Sequence, residues 1–91
     1  MRPISTPRDL GAAIRQARSD RGLTQAALAS QAGVSRPWLS DLERGKTTVE
    51  TGRVMAVLDA LGLAISLVPL AEAAGRVDLD DLLSDDLLSD G

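Results

Sequence analysis

The chain is predicted to be an all-α bundle of four to five short helices, followed by one β-strand near its C-terminal end. Three observations carry this expectation. Apolar residues recur at helical spacing in four successive stretches ending near residue 61. Gly22, Gly33, Gly45 and Gly62 divide those stretches, and glycine is the residue that most readily closes a helix in the left-handed conformation. With one Trp, no Phe and no Tyr, the core has to be built from Leu, Val, Ile, Ala and Met, which suits packed helices.

Each helix has its own start and stop. The first opens with Thr6 as N-cap, Pro7 at the first helical position and Asp9 in the first turn, and Gly22 stops it. Leu10, Ala13, Ile14 and Ala17 form its inward face. Thr24 caps the second helix, where Ala27, Leu28 and Ala32 point inward, and Gly33 makes the turn. Ser35 caps the third; Pro37 is tolerated in its first turn, where the missing N–H would have been unpaired anyway. Leu39 and Leu42 are its inward stripe and Gly45 closes it. Thr47 with Glu50 reads as a capping box for the fourth helix, with Val49, Val54, Met55, Leu58 and Leu61 as its buried face and Gly62 as its end.

Beyond Gly62 the period changes. Leu63–Val68, LAISLV, alternates large and small residues and is followed by Pro69, as a strand would be. No second strand candidate exists, and a lone strand cannot satisfy its backbone groups. Its expected partner is the same strand of another copy, giving a homodimer joined through Leu63, Ala64, Ile65, Ser66, Leu67 and Val68. The competing reading is that these residues extend the fourth helix or form a coil.

At 91 residues the chain holds one domain at most. Without Cys or His, a zinc site, thiol catalysis and an imidazole base fall away, and no nucleophile–base or metal constellation suggests an enzyme. No cofactor is expected. No apolar run approaches the roughly 20 residues of a membrane span, and no signal-peptide core is visible, so the expected location is cytoplasmic. The net charge of −3 is an average of two unlike segments: residues 1–75 carry nine Lys/Arg against seven Asp/Glu, and residues 76–91 one Arg against six Asp. The expected organisation is an arm at 1–7, a helical domain at 8–62, a dimerisation strand at 63–69 and an acidic tail at 70–91, with 71–75 as linker. The tail repeats DLLSD at 81–85 and 86–90, which reads as a solvated end, a partner-binding segment or a protease-accessible end. Asp78, Asp80 and Asp81 lack the loop glycine and terminal Glu of a calcium loop, so no metal is expected there.

The segment Leu23–Lys46, LTQAALASQAGVSRPWLSDLERGK, is two short helices about a glycine turn. It has the form of a helix-turn-helix, whose second helix lies in the DNA major groove. If Leu39 and Leu42 face inward, Arg36, Pro37, Ser40 and Asp41 face largely outward. Arg36 has a fork matching the O6/N7 edge of guanine, or it clamps a phosphate. Pro37 offers only apolar contact, such as a thymine methyl. Asp41 accepts from a cytosine amino group or, the favoured reading, turns to hold Arg36 or Arg44. Trp38 lies about 40° around the helix from Leu42, which leaves core packing and backbone contact both open. At the N-terminus of the second helix, Thr24 and Gln25 stand where free N–H groups and the helix dipole favour a phosphate. Arg44 and Lys46, just past the third helix, suit flanking phosphates. Arg18 and Glu43 sit on helices expected to cross.

Leu23-Thr24-Gln25, Leu28-Ala29, Ala32-Gly33-Val34-Ser35, Leu39-Ser40 and Glu43-Arg44-Gly45-Lys46 resemble the Xre/Cro/C1-type helix-turn-helix family over about residues 8–62. The resemblance implies a lambda-repressor-like bundle. A fourth helix running into LAISLV is similar to the HipB-type antitoxins, in which the C-terminal strand pairs across a dimer that represses its own operon and binds a HipA-type kinase toxin. It further implies that Gln25 clamps a backbone phosphate, that Ser35, Arg36, Pro37, Ser40 and Asp41 occupy contact positions, and that Arg18 and Glu43 form a buried ion pair. The acidic tail departs from the HipB pattern, and no toxin-contact residues are carried over. The expected function is therefore a dimeric repressor and antitoxin on a palindromic operator, its partners double-stranded DNA, a second copy and a HipA-type toxin, with no membrane. The alternatives are a stand-alone regulator or a protein-interaction module without DNA binding.

Overall fold

Hydroxyl caps set the first three helix starts. In the computed structural model, which describes residues 3–73, Thr6 Oγ1 accepts from Asp9 N at 3.0 Å, Thr24 Oγ1 from Ala27 N at 3.0 Å and Ser35 Oγ from Trp38 N at 3.1 Å. Each bond satisfies one of the N–H groups that a helix start leaves without an intrahelical partner. α1 (Pro7–Asp20), α2 (Gln25–Ala32) and α3 (Arg36–Glu43) follow from these caps. Gly33 turns the chain between α2 and α3 at φ 71°, a conformation that strains an L side chain.

The start of the next helix corrects the sequence expectation. α4 (Thr51–Ala60) has Glu50 as N-cap, not Thr47, and no side chain caps it. Glu50 could complete a capping box only by reaching back along the chain; its carboxylate instead meets Arg53 Nε at 3.2 Å. Val49 therefore packs against the core from the loop rather than from the helix. The buried stripe of α4 is also shifted: Val54, Val57 and Leu58 are buried, followed by Leu61, whereas Met55 is 46% exposed.

Among the described residues Ile14, Leu28, Leu39, Leu42 and Val57 are the largest fully buried side chains, drawn from α1, α2, α3 and α4. α2 packs on both α3 and α4, and α1 packs on α3. Gly11 makes the last contact close: a Cβ there would stand 2.7 Å from the Glu43 carbonyl oxygen and collide with that of Leu42. The two backbones thus approach too closely for any side chain between them.

After Gly62 the chain does not extend α4, and residues 64–68 make no backbone hydrogen bond to another described residue. No strand is present among the described residues, since a ladder requires a second strand that these residues do not supply. Apolar side chains stand in solvent here, Ile65 at 51% and Leu67 at 94% exposure. Residues 70–73 form one helical turn, α5 (Leu70–Ala73), where the composition suggested a linker from residue 71. The DLLSD repeat and Asp78, Asp80 and Asp81 lie outside the described residues. No helix among the described residues is long and apolar enough to cross a membrane.

Candidate nucleic-acid interface

Burial of Leu39 and Leu42, at 0% and 1% exposure, fixes the rotation of α3 about its axis. Ser35, Arg36 and Pro37 consequently stand in solvent at its N-terminal end, and Ser40 lies half-buried along the same helix. Among the described residues Arg36 forms no ion pair. Its five N–H donors are thus available to a ligand.

Asp41 is half-buried and turned toward cations of its own chain. Arg44 Nη2 donates to Asp41 Oδ1, and Lys46 Nζ stands 3.9 Å from Oδ2. Arg36 is not part of this group. The Asp41 carboxylate is thereby balanced by cations of its own chain just beyond α3. Trp38 packs half-buried against the core, and the Arg53 guanidinium of α4 lies 5.9 Å above its ring centroid, a cation–π arrangement.

Behind this face, one network joins α1, α2 and α3. Arg18 Nε donates to Glu43 Oε2 at 2.7 Å and Nη2 to Oε1 at 2.9 Å, a bidentate pair. Arg18 Nη1 donates to the Leu23 carbonyl oxygen at 2.9 Å, and Gln25 Nε2 donates to Glu43 Oε1 at 3.1 Å. The Glu43 side chain is 3% exposed and that of Arg18 16%. Burial pushes the Glu43 carboxyl upward, but bonds from Arg18 and Gln25 and the charges of Arg18 and Arg15 prevail and hold it below its ordinary value. Its bond to Glu43 raises Arg18 in turn, against the effect of burial. Both groups stay ionised.

Gln25 thus stands half-buried at the first position of α2, with its amide nitrogen donating one N–H to Glu43 and carrying a second. Thr24, beside it, is exposed with its hydroxyl engaged as the cap. Sequence reasoning missed the Gln25–Glu43 bond and the Arg53–Trp38 contact. Each joins residues on different helices, which local spacing cannot reveal.

The model of the family described as "Helix-turn-helix domain" matches residues 9–71. An uncharacterized HTH-type transcriptional regulator of Sinorhizobium fredii, y4mF, is 42% identical over 69 residues, covering 76% of this chain and 91% of that protein. The fold is similar to HipB as it stands in a HipB-O4 20mer complex and in a HipA-HipB-O2-O3 complex. Both give a TM-score of 0.71 at 25% identity, covering 76% of this chain and 97% of that one. It is also similar to the clp gene regulator ClgR from C. glutamicum, with a TM-score of 0.63 at 39% identity over 84% of this chain and 96% of that one.

Proposed function

Because the chain belongs to the helix-turn-helix domain family, we propose that it is a DNA-binding transcriptional regulator of the Xre/HipB type that represses as a dimer and serves as the antitoxin of a HipBA-like pair. The observation that carries DNA recognition is the rotation of α3. Buried Leu39 and Leu42 leave Arg36 and Pro37 exposed and Ser40 half-exposed. On this reading Arg36 reads a guanine edge, Pro37 makes apolar contact, and Ser35 and Ser40 complete the groove face. Thr24 and Gln25 hold a phosphate at the start of α2, while Trp38, Asp41, Arg44 and Lys46 flank the backbone, Asp41 acting through the cations it anchors. Repression by blocking a promoter needs no cofactor and no catalysis.

Dimerisation is supported by the apolar residues left in solvent after α4, Leu63, Ile65, Leu67 and Val68. A two-stranded ribbon between two copies would cover them and supply the missing backbone partners. The division of labour is an arm at 1–7, the DNA-binding domain at 8–62, the ribbon at 63–69 and an acidic tail at 70–91. Two recognition helices would then read half-sites about one helical turn apart on a palindrome.

Similarity to HipB in a complex with HipA supports a HipA-type kinase toxin as further partner. A stand-alone regulator is the second reading, favoured by the higher identity to ClgR, 39% against 25% for HipB. Footprinting on the DNA upstream of the chain's own gene should protect two symmetric half-sites, and absence of protection would refute the regulator. Co-purification of a kinase-like neighbour would decide for the antitoxin, and its failure for the stand-alone form.

A further inference from the structure

We propose that a groove between α1 and the end of α3 carries DNA phosphates outside the half-site, extending the interface beyond the helix-turn-helix onto Arg8 and Arg15. The inference rests on the DNA-binding reading above. Arg8, Ala12, Arg15, Gln16 and Ser19 recur at the three- and four-residue spacing of one helix face. With Glu43 and Arg44 from the end of α3 they line an open cavity of about 710 Å³.

Its charge is one-sided. Three guanidinium groups border the groove: Arg8 and Arg15 from α1, and Arg44 from beyond α3, which is already paired with Asp41. The single carboxylate among the lining residues, Glu43, is 3% exposed and already bonded to Arg18 and Gln25. Among the described residues neither Arg8 nor Arg15 forms an ion pair. A row of arginines on a convex helix face is ordinarily just solvated. Here the cations stand on two walls of a concavity, where their fields reinforce and an extended polyanion gains most.

Continuity with the recognition face selects the polyanion. Arg44 borders the groove and also stands beside Asp41 and Lys46 at the end of α3. Glu43 at the groove is the group that holds Gln25 at the start of α2. Gly45, next to Arg44, packs on the Arg8 backbone, whereas Gln25 and Glu43 stand at the Arg18 end of α1. A DNA strand leaving the α2 N-terminus past Gln25 would therefore run by Arg15 toward Arg8 and Arg44. Ser19 adds a neutral polar group along the same wall, and the Gln16 amide donates to Asp20 Oδ1 at 2.8 Å.

The test uses the full-length chain and fluorescence anisotropy, with a duplex from its own promoter and a scrambled duplex, each between 50 and 200 mM KCl. Replacing both arginines, Arg8→Gln with Arg15→Gln, should lower the slope of log affinity against log salt by roughly 1.8 per bound protomer, about 0.9 for each phosphate no longer neutralised. The fall should be the same on both duplexes, and the Lys pair, Arg8→Lys with Arg15→Lys, should retain the wild-type slope. An unchanged slope with the Gln pair overturns the groove while wild-type binding leaves the regulator standing. A gain in affinity overturns it too, by assigning the groove to the chain's own acidic residues 76–91. Wild-type protein that binds neither duplex takes down the DNA-binding reading itself.

Discussion

Gln25 and Arg18 share one acceptor: the Gln25 amide donates to Glu43 Oε1 at 3.1 Å, and Arg18 Nη2 donates to the same oxygen at 2.9 Å. The residue that opens α2 is thereby wired to a buried ion pair that also fixes where α3 ends against α1. Position and stability are coupled at this point, and they can be separated by mutation.

Removing one member of the pair leaves the other charged and uncompensated. Arg18→Met should destabilise the domain by about 3–5 kcal/mol, and Arg18→Met with Glu43→Leu by clearly less than the two single changes combined. Urea denaturation of the four proteins measures this directly; additive losses would show that the two groups do not interact.

The pH response follows from Glu43. Its folded pKa lies below its unfolded one, which is about 4.3 in an unstructured chain. The stabilisation it brings is therefore complete above that unfolded value and is lost as pH falls through the lower folded one. Melting temperatures taken from pH 6 downward should fall more steeply for wild type than for Glu43→Gln on the acid side of about pH 4.3. Parallel curves would remove Glu43 from the acid transition.

On DNA, Arg36 and Gln25 should respond differently. Arg36→Ala should cost about 1–3 kcal/mol at one operator position and relax specificity there. Gln25→Ala should weaken all sequences alike, since a phosphate carries no base identity. Affinities on a panel of single-base operator variants separate the two outcomes. Unchanged affinity in both would move the interface elsewhere.

Gly11→Ala sets a Cβ against the carbonyl oxygens of Leu42 and Glu43. Backbone on both sides cannot step aside, so the change should cost about 1–3 kcal/mol although Ala is the better helix former. Thermal unfolding should show a lower Tm, and an increase would mean that α1 and α3 can separate freely.

For the segment after α4, Ile65→Pro removes an N–H and should give monomers by light scattering. A persistent dimer would refute the ribbon.

The first three helix starts and the outward side of α3 are readable because both depend on local chemistry. Thr6, Thr24 and Ser35 bond to N–H groups three residues on, and Leu39 and Leu42 fix the outward side of α3 within one helical turn. The Thr47 box failed for an equally local reason, because Arg53 claims the carboxylate that the box required. Spacing alone points to Met55 where the fold buries Val57, since on a short helix either can complete an apolar stripe and only the neighbouring helices choose. Gly11 carried no signal, because a glycine inside a helix shows its purpose only beside the backbone it approaches. The Gln25–Glu43 bond and the Arg53–Trp38 contact are matters of helix arrangement, which spacing along one segment does not encode. The segment 63–68 has the composition of a strand, but backbone pairing needs a second strand.

With Trp38 as the chain's sole aromatic residue, its ultraviolet emission comes from one indole at the flank of α3, beneath Arg53. Arrival of a duplex at that helix would alter the polarity and charge around the ring. The protein thus carries its own optical reporter, able to signal docking in real time without a dye.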